Sequence, residues 1–227
     1  MNVSVLSTLA LKGVLDRFSA DLEKSLAARL ELRFDATQAI LQQLESRERK
    51  WPDLLILTDD AIRKLEEKGD VGQVRVLGSS GVGVAVRAGA PRPDIGSIEA
   101  FKEAMVRASS VAHSKIGASG IYFAEVLERL GIADRLKKRV VVEKGPVGRV
   151  VAAGEAEIGV QQLCELAPVP GIDIVAPLPA PIQRITHFAA GIPANAANPQ
   201  DAAALMELLR SESVRAGMIQ GGIQPAP

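Results

Sequence analysis

At four places in this chain a short apolar run gives way to a helical pattern through small or hydroxyl residues. The junctions are Leu6-Ser7-Thr8, Asp35-Ala36-Thr37, Ser119-Gly120 and Gly145-Pro146-Val147-Gly148. The first N–H groups of a helix have no acceptor within it, and they lie at the positive end of its dipole. Each junction would therefore turn free N–H donors, and in places a hydroxyl, toward an anion. Four converging helix starts would grip a small oxyanion or carboxylate. Taken singly, Ser7 or Thr37 reads as well as an ordinary N-cap, worth about 1 kcal/mol to its helix and nothing to a ligand.

The surrounding elements are those of an α/β protein. Val3–Leu6 reads as a first strand, and Leu11, Leu15, Phe18, Leu22 and Leu26 recur at helical spacing. Leu30–Phe34, a helix over Gln38–Arg47, the strand Asp53–Leu57 and a helix over Asp59–Glu67 continue the alternation that marks a parallel sheet. Thr58 is placed to cap the last of these helices, and Asp59 and Asp60 suit its positive end. The run from Val74 through Ser79-Ser80-Gly81 to Val86 reads as a strand crossing between two bodies. A second set of βα units follows. Its helices start at Ser97, at Ser119-Gly120 and at Pro146, with strands at Val111, Arg139–Glu143, Glu157–Gln161 and Asp173–Val175. Arg184–Ala190 reads as a return strand, and the last helices, carrying Leu205, Leu208, Leu209 and Val214–Gln220, are expected to pack on the first lobe. The division is lobe 1 over 1–80 and 185–227, enclosing lobe 2 over 81–184, with two crossover hinge strands and a ligand cleft between the lobes.

Composition narrows the function. Of the 227 residues 47% are apolar and only 3% aromatic, so aliphatic side chains build the core. Lys and Arg total 27, as do Asp and Glu, which leaves no global field to recruit nucleic acid or an anionic membrane. One cysteine, Cys164, and two histidines, His113 and His187, supply neither a disulfide framework nor a transition-metal site, so no metal and no cofactor are expected. Cys164 reads as a small buried hydrophobe. No apolar run reaches the ~20 residues needed to span a bilayer, so membrane insertion is not expected. Met1-Asn2-Val3-Ser4-Val5-Leu6 enters a strand with no basic segment, apolar segment or cleavage site before it. As written, that points to the cytoplasm. A mature secreted chain with Met1 in place of its leader would look the same.

With these elements in order, the chain resembles the molybdate-type periplasmic solute-binding proteins of ABC importers, which have the type II periplasmic-binding fold. The resemblance is carried by Val5-Leu6-Ser7-Thr8, by Phe34–Leu44 leading to Pro52-Asp53-Leu54-Leu55-Ile56, and by Ser119-Gly120-Ile121-Tyr122. Gly154–Val160 and the ending Gly221-Gly222-Ile223-Gln224-Pro225 complete it. It implies two lobes, each a mostly parallel sheet flanked by helices, that close by hinge motion on one small anion and then dock on a membrane permease. It also implies a periplasmic location and a monomer. The implied contacts are Ser7 with Thr8, Thr37, Ser119 with Gly120, and Val147 with Gly148. Ser7 and Thr37 would give hydroxyls and N–H groups, Ser119 and Val147 mainly N–H groups.

Two departures bear on the ligand. Where molybdate binders place a tyrosine after the last strand of the second lobe, this chain reads Gln161-Gln162. Where they tend to have Asp-Pro before the third helix, it has His113-Ser114-Lys115. Amides both donate and accept, and Lys115 would add a full charge, which suits a carboxylate with further polar groups better than a tetrahedral oxyanion. On the leading reading the protein is a solute-binding protein with no catalytic residue. The alternative is an isomerase of a small organic acid such as aconitate on the same fold, with His113 or Lys115 as the base and helix-end N–H groups stabilising an enolate.

Overall fold

The computed structural model describes residues 2–46, 50–143 and 145–227. The described chain divides into two compact units. One runs to Ser79 and resumes over Thr186–Pro227, and the other is the continuous stretch Ser80–Ile185.

In chain order the elements are β1 (Asn2–Thr8), α1 (Lys12–Leu26), β2 (Arg29–Asp35), α2 (Thr37–Glu45), β3 (Leu54–Thr58), α3 (Asp59–Glu67), β4 (Val71–Arg87), α4 (Ile98–Arg107), β5 (Val111–Ser114) and α5 (Ala118–Arg129). Then follow β6 (Arg139–Val142), α6 (Val147–Ala152), β7 (Ile158–Gln162), α7 (Leu163–Leu166), β8 (Ile172–Pro177), β9 (Ile185–Pro193), α8 (Pro199–Leu208), α9 (Glu212–Gln220) and β10 (Gln224–Pro225). The Arg47 end expected for the second helix lies outside the described residues. The strand expected to cross at Ser79–Gly81 is one continuous strand, β4, with Gln73 in a left-handed conformation at φ 48°.

In the first unit β1 lies between β2 and β3, parallel to both, and β9 joins β3 antiparallel. Every residue of β3 is buried, as expected of a short apolar run covered on both faces. Along α1 the apolar face is realised by Val14, Leu15 and Leu22, all buried, and α8 and α9 pack on this helix. At the start of α3, Asp59 pairs with Arg63 at 2.7 Å, whereas Thr58 makes no side-chain capping bond. The short β10, which periodicity did not reveal, pairs antiparallel with β4 at Gly78 and Ser79. Gly78 is needed there, because a Cβ would come 2.7 Å from the Gln224 carbonyl oxygen.

In the second unit the same local order recurs. β5 lies between β6 and β7, parallel to both, and the later half of β4 pairs antiparallel with β7 and β8. Phe101 and Phe123 meet edge to face at 6.5 Å in its aliphatic core. Ser97 caps α4, its Oγ accepting from Ala100 N at 3.1 Å. In each unit, then, the chain leaves its central strand, pairs on one side, and returns on the other. The carboxyl ends of strands at such a switch are where open α/β sheets bind ligands.

Candidate functional site

All four sequence junctions fall at carboxyl ends of these strands: Ser7-Thr8 at β1, Asp35-Ala36-Thr37 at β2, Ser119-Gly120 beyond β5, and Val147-Gly148 beyond β6. In the first unit Ser7 is fully buried and Thr8 nearly so. Ser7 Oγ donates to the Thr8 carbonyl at 3.0 Å, and Thr8 stands at the N-cap of a short 3-10 turn, Leu9–Leu11, without a side-chain capping bond. Thr37 is the first residue of α2, with Ala36 at the cap, and its Oγ1 is buried without a hydrogen-bond partner among the described residues. Asp35, which the sequence reading did not single out, puts a carboxylate at this helix start. Its Oδ1 accepts from Ala36 N at 2.8 Å and its Oδ2 from Gln43 Nε2 at 3.1 Å. One donor at the α2 start is thus already answered by an anion of the chain itself.

In the second unit α5 starts at Ala118 with Gly117 as its cap, one residue earlier than the Ser119-Gly120 junction. Ser119 is buried in the first turn. Gly120 departs from its expected role, since its N–H donates to the Gly117 carbonyl at 2.9 Å. Its contribution is space: a Cβ there would lie 2.0 Å from the Ser114 carbonyl oxygen, so only glycine lets α5 begin against the end of β5. Ser114, seen in the sequence only as part of a departure from pattern, is 8% exposed, and its Oγ is buried with no hydrogen-bond partner among the described residues. A Cβ on Gly117 or Gly120 would lie 2.5 or 2.4 Å from that Oγ, which places the hydroxyl in the notch of the first turn of α5.

The fourth junction differs most from expectation. The Val147 N–H donates to Gln161 Oε1 at 2.8 Å, so it is taken by the protein and not free for an anion. Gln161 in turn donates from Nε2 to Glu165 Oε2 at 2.5 Å. Gly148 is a packing glycine, where a Cβ would press on Ile172 and Val169. Gln162 is buried beside Gln161, and its Oε1 lies 3.9 Å from Cys164 Sγ. Burial pushes the Glu165 carboxyl up to about 7, against a smaller opposing effect of the Gln161 hydrogen bond. Burial pushes the Cys164 thiol up as well, which keeps it protonated and unreactive.

Lys115 does not point a free charge at these helix starts. It forms an exposed ion pair with Glu143 at 2.9 Å. His113 is buried, its ring edge-on to Phe123 at 5.6 Å, with Nδ1 3.0 Å from the Ser114 carbonyl oxygen. Desolvation holds its pKa below the ordinary histidine value. A neutral ring that donates from Nδ1 keeps an acceptor lone pair on Nε2. Tyr122 is a core aromatic whose hydroxyl donates to the Ile182 carbonyl at 3.0 Å. Among the described residues no group of three or more His, Cys, Asp or Glu is placed to hold a metal ion. No described helix is long and apolar enough to cross a membrane.

Residues 3–224 match the bacterial extracellular solute-binding protein family. The chain belongs to that family. A relative 35% identical over 99% of this chain and 88% of its own length is the aconitate isomerase of a Pseudomonas species. Among solved structures, the periplasmic molybdate-binding protein of Azotobacter vinelandii superposes with a TM-score of 0.75 at 17% identity, covering 97% of this chain and 98% of its own. A tungstate binding protein from Desulfovibrio alaskensis gives 0.65 at 14% identity, covering 99% and 98%. At these identities the structures establish that this family member has the type II solute-binding fold.

Proposed function

We propose that this family member captures a small organic polycarboxylate at the carboxyl ends of its strands. The observation that carries this reading is that each unit has a buried hydroxyl at a helix start, Thr37 Oγ1 on α2 in one and Ser114 Oγ before α5 in the other, with no hydrogen-bond partner among the described residues. A buried donor left unanswered costs roughly 1–3 kcal/mol, and a bound oxyanion is the partner that repays it. A carboxylate is favoured over a tetrahedral oxyanion because the 35% identical relative is an aconitate isomerase, whereas the molybdate and tungstate binders share only 17% and 14% identity with this chain. As a family member, the protein would hand its anion to an ABC permease.

Calorimetric titration with molybdate, tungstate, sulfate, citrate and trans-aconitate tests the proposal. Saturable heat with a tricarboxylate and none with molybdate supports it, and the reverse pattern sinks it.

The isomerase relative favours a second reading, in which the bound acid is turned over. Interconversion of cis- and trans-aconitate is a proton shift along three carbons, with no change of oxidation state and no cofactor. Strand-end N–H groups would bind the carboxylates, and a single base would move the proton. Proton NMR of trans-aconitate incubated with the protein distinguishes binding from turnover.

A further inference from the structure

If the bound acid is isomerised, some group must carry the proton, and neither base suggested by the sequence is well placed. Lys115 is held at the surface by Glu143. His113 is enclosed between β5 and the ring of Phe123, and Cys164 stays protonated. Glu165 is different. It lies in α7, immediately after β7, and is partly buried.

Its setting is defined through Gln161. The Val147 N–H fixes the Gln161 amide with Oε1 toward α6, so Nε2 faces Glu165 and can only donate to it. Glu165 Oε2 is therefore an acceptor in both protonation states, and any proton the carboxyl carries sits on Oε1, for which no partner is found among the described residues. The result is a carboxyl with one anchored oxygen and one free oxygen, just past the carboxyl end of β7, which pairs in parallel with β5 and so shares its strand-end face with Ser114.

We propose that Glu165 moves the proton between two carbons of a bound unsaturated tricarboxylate. The inference rests on the isomerase reading. Glu165 Oε1 takes a proton from the methylene carbon, and the C–H electron pair passes into the conjugated carboxylate as a dienolate. The same Oε1–H then returns the proton to the former vinylic carbon, which shifts the double bond and restores the carboxylate. Nothing is oxidised or reduced, and no co-reactant is consumed.

A carboxyl that titrates near 7 divides its time between the two forms such a relay needs at neutral pH. The ionisable side chains on the elements packed around it are few. They are Cys164 on α7, Arg149 on α6, and Asp173 on β8, whose carboxylate is engaged by Gly89 N and Arg92. The nearby Ser80–Gly83 stretch of β4 and all of β7 carry none.

The test compares the wild-type protein with Glu165→Gln and Glu165→Asp, using trans-aconitate in H2O and D2O. Calorimetry reads binding, and NMR reads turnover and deuterium wash-in. The expected result is wild-type turnover with kcat/KM rising through pH about 7. Glu165→Gln should bind within about threefold of wild type yet lose at least about 100-fold in kcat and in wash-in, the range typical of a removed acid–base group. Glu165→Asp, which keeps a carboxyl, should recover part of the rate and guards against misfolding of the glutamine variant. Turnover by Glu165→Gln at the wild-type rate overturns the role of Glu165 and leaves the isomerase reading standing. Binding by wild type without turnover or wash-in removes both, and leaves the capture reading intact.

Discussion

The backbone N–H of Val147 and the side-chain amide of Gln161 are joined at 2.8 Å, so the start of α6 is closed by the protein itself. The helix starts are therefore not equivalent: among the described residues Thr37 Oγ1 on α2 and Ser114 Oγ before α5 lack partners, while α6 presents an amide and, behind it, a carboxyl. Gln161→Ala should leave both the Val147 N–H and Glu165 without this partner. Urea unfolding is expected to show a loss of about 1–3 kcal/mol. An unchanged midpoint would mean that water replaces the amide at no cost.

Ser114 and Lys115 are adjacent yet should behave in opposite ways. Ser114→Ala removes a buried hydroxyl that has no partner, so stability should stay level or rise slightly, while carboxylate affinity falls at least about tenfold, as befits a lost charge-assisted hydrogen bond. Lys115→Ala breaks only an exposed ion pair and should change stability by about 1 kcal/mol or less, with affinity untouched. Calorimetry on the two variants decides the matter; a large affinity loss in Lys115→Ala would return that side chain to the site.

Glu165 makes a signed prediction about pH. Its folded pKa of about 7 lies above the ordinary 4.5. Below 4.5 both folded and unfolded states hold the proton, and between 4.5 and 7 only the folded state does. Its contribution to stability is therefore full below 4.5 and is lost as pH rises through 7. Glu165→Gln should remove that slope. Urea midpoints at pH 4.5, 6 and 8 would show it as a wild-type decline absent from the variant, and parallel curves would contradict the assignment.

Asp53 has the opposite sign. Burial raises its pKa, but hydrogen bonds from Ser4 and Asn198 outweigh burial and hold it below the usual carboxylate value. Its contribution is present above the unfolded value and disappears as pH falls through the folded one. Asp53→Ala should cost about 1–3 kcal/mol at neutral pH, where Ser4 N, Ser4 Oγ and Asn198 N lose their acceptor, and much less in acid. Thermal melts at pH 7 and pH 3 would reveal the difference.

Gly120→Ala places a methyl 2.0 Å from the Ser114 carbonyl oxygen. Backbone cannot yield as a flexible side chain does, so a destabilisation of about 1–3 kcal/mol is expected, with carboxylate affinity falling as the notch around Ser114 deforms. Denaturation and calorimetry on the same sample would separate the two effects.

Periodicity and junction chemistry made most of this architecture legible in advance. The Leu-rich spacing of α1, the wholly apolar β3 and the Ser97 cap of α4 are local signals, and they appear where local signals put them. The four helix starts were legible for the same reason. What each start does was not, because that depends on side chains arriving from elsewhere. Gln161 reaches Val147 across 14 positions of sequence. Nothing in the sequence marks Glu165, and its raised pKa comes from burial, which a sequence does not display. Ser114 stood next to two residues that draw the eye, and its lack of a partner emerges only when Gly117 and Gly120 are folded against it.

Asp53 also fastens three pieces of chain that are made at different times: the first strand through Ser4, the third through its own position, and the start of α8 through Asn198. The unit they belong to is interrupted by the whole of Ser80–Ile185. During synthesis that inserted stretch is complete while its host still lacks β9, α8 and α9. A released chain truncated after residue 185 should therefore show protease protection over 80–185 while its N-terminal strands lack it. The order of translation thus makes the inserted unit the elder of the two, although its host begins the chain.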